Sequence, residues 1–450
     1  MKQRTLAVLV ATALVLVGCS QAAEEQGAEE ASDGQETRAS YTDNPWTDGE
    51  DLSGTEVSIF GAFVEPGSDL FRDSMDRFEE ETGIGVDYEG SGDFESLISV
   101  RVEGGDAPDI AAFPQPGLLK DMVRRGHIQD LNEWFDREFL EEHYDESWLD
   151  VATMEDIMAG VWYRANVKSL VWYPEPEFSE AGYEVPETWD EMMELSRQMA
   201  ADGETPWSIG IESSGATGWV ATDWMEDIML RTVPPEKYDQ WVEGELPFAS
   251  DEVRRAAEIM GDIWFNEDFV LGGTQSILTV PFGDAVDPLF ADPPQAWLHR
   301  QASFITDFFP DDAEVGEDID FFYLPPIDEE QGKPVLGAGD IMAAFDDRPE
   351  VRAVMRYLAT GDSVREWVES GGVVAPHLDA ELDWYTSETN RRYAEILRDA
   401  DTFRFDGSDM MPGEVGTGAF WAQMSNWVSG DDLDTILEKI DEAWPEEEDE

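Results

Sequence analysis

The chain has 450 residues, enough for two or three cores, and 42% of them are hydrophobic, a globular rather than a disordered balance. It carries 102 acidic residues against 28 Lys plus Arg, a formal net charge of −74. A surface of that sign repels phosphate backbones and anionic headgroups, which excludes nucleic acid as a partner and restricts any membrane attachment to a covalent or inserted anchor. The acids are scattered along the whole sequence, as a solubility device for a salty or alkaline medium would be.

At the start, Lys2 and Arg4 precede an apolar run from Leu6 to Val17 that is too short for an ordinary membrane span. Leu16-Val17-Gly18-Cys19 closes it, so residues 1–19 read as a secretory signal. Leu-Val-Gly-Cys resembles the bacterial lipobox, which implies that Cys19 is acylated and becomes the mature N-terminus. Cys19 is the one cysteine, so no intramolecular disulfide can form. Residues 20–53 are acidic and small, the composition of a disordered tether, and residues 445–450 form an acidic tail.

The body opens with a strand at Glu56–Phe60. A helix follows with Phe71, Met75 and Phe78 on one face, capped by Ser68 or Asp69 and ended by Gly83. Strands at Ile84–Tyr88 and Ala107–Phe113 alternate with helices at Phe94–Val102 and Leu118–Arg124. That alternation predicts an α/β class with a parallel sheet, whose ligands sit at the C-terminal strand ends. The middle holds strands at Ser169–Tyr173, Ser208–Ile211, Ala296–Leu298 and Ile319–Tyr323. Its helices are one from Trp189 to about Ala201, with Thr188 and Glu191 as a capping box, and others at Trp219–Arg231 and Val253–Trp264. A short strand precedes Gly337-Ala338-Gly339-Asp340. Helices at Val351–Thr360, Ser363–Ser370, Ser387–Asp399, Phe420–Val428 and Leu433–Ala443 complete the chain.

The four histidines, His127, His143, His299 and His377, show no metal spacing, and the sequence has no HExxH, GxSxG, P-loop or GxGxxG. No catalytic set, metal or cofactor is expected. Carboxylates are so abundant that a chance pair at glycosidase spacing carries no weight. The tryptophans are more informative. Trp219 and Trp224 flank Asp223, Trp297 precedes His299 and Arg300, and Trp421 follows a Gly-rich bend from Gly413 to Gly418. Each ring alone also fits a core position. Together, beside turns and polar groups, they point to a carbohydrate cleft in which CH faces stack on rings and hydroxyls donate to carboxylates.

Several stretches carry a family resemblance: Gly83-Ile84-Gly85-Val86, Gly105-Asp106-Ala107-Pro108-Asp109-Ile110, Ser169–Tyr173, Pro186-Glu187-Thr188-Trp189-Asp190-Glu191, Gly337–Asp340, Phe420-Trp421 and Trp444-Pro445. Over about residues 54–444 the chain resembles the extracellular solute-binding proteins of carbohydrate ABC importers, related to maltose-binding proteins. Gly210–Arg231, Trp297–Phe309 and Phe405–Pro412 look most like the α-glucoside-binding branch.

The resemblance implies a type II periplasmic-binding-protein fold of two α/β lobes. Residues 54–164 and 338–385 form the first and 165–337 and 386–444 the second, with crossings near 163–166, 335–339 and 380–390. It implies sugar contacts from Glu65, Phe113 and Gln115 in the first lobe, stacking platforms at Trp297 and Trp421, and Asp340 at the hinge. Trp219, Asp223, Arg404, Asp406 and Asp409 follow at the level of the branch, and Arg300 is a candidate contact as the polar neighbour of Trp297. Pro116 stands where maltose binders commonly carry an acid. The implied partners are an oligosaccharide, an ABC permease and, through Cys19, the membrane; the implied state is a non-enzymatic monomer on the cell surface. A secreted glycoside hydrolase or lyase would account for the rings and acids but not for these motifs, and a peptide or polyamine binder would account for the charge. Acylation is checked by Cys19→Ser, which is expected to release the protein to the medium; continued fractionation with membranes would refute the anchor.

Overall fold

A computed structural model describes residues 41, 44–310, 312–371, 373–385 and 388–445. The signal with Cys19, most of the expected tether, and residues 446–450 of the expected tail lie outside the described residues. The end of the tether, residues 44–53, corrects the sequence reading. Trp46 is 9% exposed and packs edge-on against Tyr357 at 5.2 Å, with its Nε1 donating to Glu81 at 3.1 Å. Acidic composition around it masks a single anchoring ring.

Eleven strands are present among the described residues: β1 (Glu56–Gly61), β2 (Gly85–Gly90), β3 (Ile110–Phe113), β4 (Thr153–Met154), β5 (Ile157–Met158), β6 (Val161–Val167), β7 (Leu170–Tyr173), β8 (His299–Arg300), β9 (Asp320–Tyr323), β10 (Pro334–Ala344) and β11 (Thr402–Phe405). The main sheet has the order β11-β10-β3-β1-β2, with β6 also on β10. β1 pairs in parallel with β2 and β3, as strand–helix alternation predicts. β10 corrects the all-parallel expectation, because it runs antiparallel to both β3 and β6. The sheet is mixed because β10 arrives from the far end of the chain rather than through a short helical crossover.

Two large cores follow from this path. One draws on Trp46–Tyr163 and again on Ile341–Trp384. The other draws on Val171–Leu336 and Met411–Ile440, with a satellite around β7, β9 and Tyr393. The second lobe is built around the antiparallel sheet β8-β7-β9 and the helix Trp219–Thr232, which is buried from Val220 onward. β6 and β10 run side by side between the lobes, and all 11 residues of β10 are buried. The pairing register shifts between Asp340 and Ile341. Their partners are Arg164 and Trp162, so Tyr163 is the extra residue and the bulge lies on β6, where it bends the strand.

Local signals succeed where one short motif decides the structure. The Thr188 hydroxyl accepts from Glu191 N at 3.2 Å, and the Glu191 carboxylate accepts from Thr188 N, so the capping box forms. Gly83 closes the first helix at φ 69°. That helix begins at Gly67, without the side-chain cap expected from Ser68 or Asp69. The strands expected at 208–211 and 296–298 are isolated bridges at Trp207, Leu298 and Glu212, because their partners are irregular segments. The Gly-rich bend is a wide helical turn, Glu414–Phe420, that runs into the helix Trp421–Ser429. Gly416 serves a close backbone approach there: a Cβ would lie 1.9 Å from the Ser408 carbonyl oxygen. Trp46→Ala should lower the unfolding free energy by about 3 kcal/mol, read from the urea midpoint, since it empties a packed site. An unchanged midpoint would return residues 44–53 to the tether.

Candidate ligand-binding cleft

Between the lobes lies a cavity of about 570 Å³. The first lobe contributes Phe63, Ser91, Glu95, Gln115 and Trp367; the second contributes Trp219, Asp223, Phe304, Asp307 and Trp421. Arg164, Asn166, Lys168 and Asp340 come from the crossing strands and the residue that follows β6. The volume lies within the range of small-molecule sites, and both lobes contribute rings to the walls.

Trp219 is half-buried at the start of its helix, with Phe282 and Phe304 against it at 5.2 and 5.9 Å. Its Nε1 donates to Ser213 Oγ at 2.9 Å, which fixes the ring plane. Trp421 lines the same cavity, with Nε1 3.4 Å from Ser408 Oγ. On the facing wall, the Arg164 guanidinium lies 4.3 Å from the Phe63 ring and 4.0 Å from the Trp367 ring. It donates to Asp340 at 2.7 Å, so the β10 residue opposite the β6 bulge is held by a charged partner.

The cavity floor is ionic. Along the helix Trp219–Thr232, Asp223, Glu226, Asp227 and Arg231 recur at spacings that share one helical face, and all four are buried. The Lys168 ammonium donates to Asp223 at 2.9 Å and also to Asp406. Arg300 bonds Asp223 at 3.3 Å and Asp227 through Nε at 3.1 Å, and Arg231 bonds Asp227 at 2.7 Å. The Glu226 carboxylate accepts from the backbone N–H groups of Gly407 and Ser408 at 2.9 and 3.0 Å. Asp223, Glu226 and Asp406 are close enough to share a cation, but the Lys168 ammonium already serves two of them.

The protons sort unequally. Burial opposes charge on Lys168, yet Asp223 and Asp406 hold its pKa well above the usual lysine range. Burial also works against the Asp406 carboxylate, but Lys168 outweighs it and brings Asp406 down to about 2. Burial and the neighbouring Asp406 push Glu226 and Asp409 well above the usual carboxylate range. Glu95, which accepts from Gln115 Nε2 at 3.0 Å, is pushed up to about 7, chiefly by burial. Two acceptors are left over: Gln115 Oε1 and Asn166 Oδ1 are buried with no hydrogen-bond partner among the described residues, and both residues line the cavity. Unsatisfied buried acceptors are costly, so hydroxyl donors on a guest would be favoured there.

The structure gathers Gln115, Trp219, Asp223, Asp340, Asp406, Asp409 and Trp421 around one space. It places the other residues named from the sequence elsewhere. Phe113 is fully buried on β3 between Phe94 and Phe345, so it does not face Trp421. Trp297 is a core ring, T-stacked on Tyr183 with its Nε1 on Glu204, rather than a platform. Arg300 is buried beneath the cavity as a counter-charge. Arg404 is bidentate to Asp239 in a separate groove with Trp162 and Trp444. Glu65 is exposed and outside the lining, which takes its neighbours Val64 and Gly67. None of Gly413–Gly418 reaches the cavity.

Sequence reasoning missed Glu95, Arg164, Lys168, Glu226, Asp227, Asp307 and Trp367. For the helix, a signal existed: charges at i, i+3, i+4 and i+8 inside an otherwise apolar segment imply a buried ionic stripe. Lys168 and Arg164 carried no local signal, because their partners come from distant segments.

A sequence model of a family described as bacterial extracellular solute-binding protein matches residues 61–363. The chain is 47% identical over 390 residues to the osmoprotective compounds-binding protein of Synechocystis sp., covering 87% of this chain and 92% of that one. It is 41% identical over 407 residues to the alpha-glucosides-binding periplasmic protein of Rhizobium meliloti, covering 88% of each. Among solved structures, a bacterial solute receptor described as having an exclusive preference for β-D-galactopyranose superposes with a TM-score of 0.74 at 15% identity, covering 87% of this chain and 98% of that one. That likeness establishes a two-lobed periplasmic-binding-protein fold. Among the described residues no helix is long and apolar enough to cross a membrane.

The Glu95 proton gives a test. Its carboxyl titrates near 4.5 in an unfolded chain and about 7 in the fold, so the folded state binds the proton more tightly. Stability should therefore fall as pH rises from about 4.5 through about 7. Glu95→Gln should flatten part of that slope in urea titrations at stepped pH; an unaltered slope would show that Glu95 does not hold the proton.

Proposed function

Since the chain belongs to the bacterial extracellular solute-binding proteins, we propose that it captures a neutral α-glucoside of about disaccharide size and delivers it to an ABC permease. The observation that carries this reading is the wall of the cleft. Trp219 offers a ring face and Trp421, 3% exposed, lines the same space beside it, while the Gln115 and Asn166 acceptors and the Asp409 carboxyl offer places for hydroxyls. Rings bind the CH faces of a sugar, and acceptors without donors bind its OH groups. Phosphorylated or acidic sugars are disfavoured, because Arg164 and Lys168, the cations of the lining, are already held by Asp340, Asp223 and Asp406, in a chain of net charge −74.

The choice of α-glucoside draws support from the names of the relatives, one a binder of α-glucosides and one of osmoprotective compounds. The surplus of acids fits a saline medium, where the Debye length shrinks to about 3 Å at molar salt and self-repulsion is screened. The protein acts without covalent chemistry. Ligand contacts from both lobes exist together only when the cleft is shut, so the ligand favours closure by its differential affinity. Acylation at Cys19 would keep the protein beside its permease.

Calorimetry against trehalose, maltose and sucrose tests the reading. Trp219→Ala and Trp421→Ala should each weaken the best ligand by about tenfold, on the order of 1 kcal/mol for a stacked ring. Trp297→Ala should leave affinity unchanged, because that ring faces the core. No heat with any of the three sugars, or cleavage of a sugar on incubation, would overturn the proposal.

A further inference from the structure

Two hydrogen bonds at the cavity and its border join opposite lobes. Asp93 Oδ1, from the first lobe, accepts from the Gly215 backbone N–H of the second at 2.7 Å. Trp367 Nε1, from the first lobe, donates to Asp307 Oδ2 of the second at 3.2 Å.

Asp93 is in an unusual position for this role. It is the N-cap residue of the helix Phe94–Gly104, where an aspartate carboxylate ordinarily accepts from its own helix N–H groups. Here it makes no such bond, and the carboxylate reaches across the cleft instead. Two partners are therefore within its chemistry: its own helix end, and Gly215 when the lobes meet.

The loop that carries Gly215 is built to present that N–H. Ser214 holds a left-handed φ of 54°, and its N–H donates to Glu212 at 2.9 Å. Thr217 Oγ1 accepts from Ser213 N at 3.0 Å and donates to the Ser214 carbonyl at 2.7 Å. Gly218, at φ 121°, lies so close to Trp421 that a Cβ would sit 2.3 Å from its carbonyl oxygen. Ser213 Oγ accepts from the Trp219 indole. The Trp219 ring and the Trp421 backbone thus both touch the loop, which ties the Gly215 N–H to the second-lobe wall of the cavity.

We propose that Asp93 is the closing residue of the cleft, a positioning group that gives up capping its own helix to take the Gly215 N–H and hold the lobes together over the ligand. The inference rests on the sugar-binding reading only for its choice of probe. Asp93→Ala removes the acceptor, and Asp93→Asn keeps a carbonyl oxygen. Gly215→Ala acts from the other side: its φ is not left-handed, yet its Cβ would lie 2.6 Å from Asp93 Oδ1 and push the carboxylate away.

Two measurements decide, both on the full chain. Small-angle X-ray scattering without ligand should give a larger radius of gyration for Asp93→Ala and Gly215→Ala than for the native protein, with Asp93→Asn restoring most of the difference. Stopped-flow tryptophan fluorescence with trehalose should show dissociation faster by roughly threefold to tenfold in the first two variants, as expected for a lost hydrogen bond to a charged acceptor near solvent. A native radius of gyration in both variants overturns the latch. So does native-rate release of trehalose in a protein that binds it. If the native protein ignores trehalose and its sister disaccharides, the sugar reading falls while the scattering still decides the latch.

Discussion

A single buried ammonium organises the cleft. Lys168 sits just past the crossing strand β6, and it bonds Asp223 of the second-lobe helix and Asp406 at the end of β11. Three segments far apart in sequence are thereby joined at the cavity floor. Removing one member of a buried ion pair typically costs about 3 to 5 kcal/mol, because the surviving charge stays buried without its partner. The surrounding chemistry follows from that charge. Asp406 stays ionised and caps the helix Gly407–Met410, while burial and that charge push Glu226 and Asp409 toward the protonated form, and burial pushes Asp223 up to about 7 in spite of Lys168 and Arg300. A chain with 102 acids keeps a few of its 28 basic residues for the place where water is excluded.

This division explains why the cleft can be acidic without flying apart. Asp340 is neutralised by Arg164, and Asp227 is held ionised by Arg300 and Arg231 against the effect of burial. What remains for a guest is a set of acceptors fixed by the protein rather than by solvent. Preformed acceptors of this kind reduce the ordering that binding demands. The bulge on β6 lies opposite the step from Asp340 to Ile341 on β10, beside Arg164, the residue that neutralises Asp340.

Much of the fold was legible because local rules and global packing agree. The capping box at Thr188, the glycine stop at Gly83 and the spacing of Phe71, Met75 and Phe78 each need only a few neighbouring residues to act. The direction of β10 was not legible, because its partners Phe113 and Val167 are set by tertiary contact. The site was legible by half for the same reason. Trp219, Trp421, Gln115 and Asp340 sit at turns or strand bends that the sequence marks. Phe113 and Trp297 sit at equally marked positions, but their side chains turn into the core, and a one-residue difference in register decides which way a ring faces. Trp46 shows the converse, an anchor concealed in a run whose composition is that of a tether.

The long strand β10 also bears on how the molecule is made. Gln129 bonds the carbonyl of Phe345 across 216 residues of sequence, and the β3 edge is completed only by the stretch Ile341–Ala344. An N-terminal lobe emerging from the ribosome therefore lacks its central strand until three quarters of the chain has been synthesised. Contacts of such sequence separation form slowly. The first lobe is thus a product of both ends of the chain, and its sheet closes only when the far end arrives.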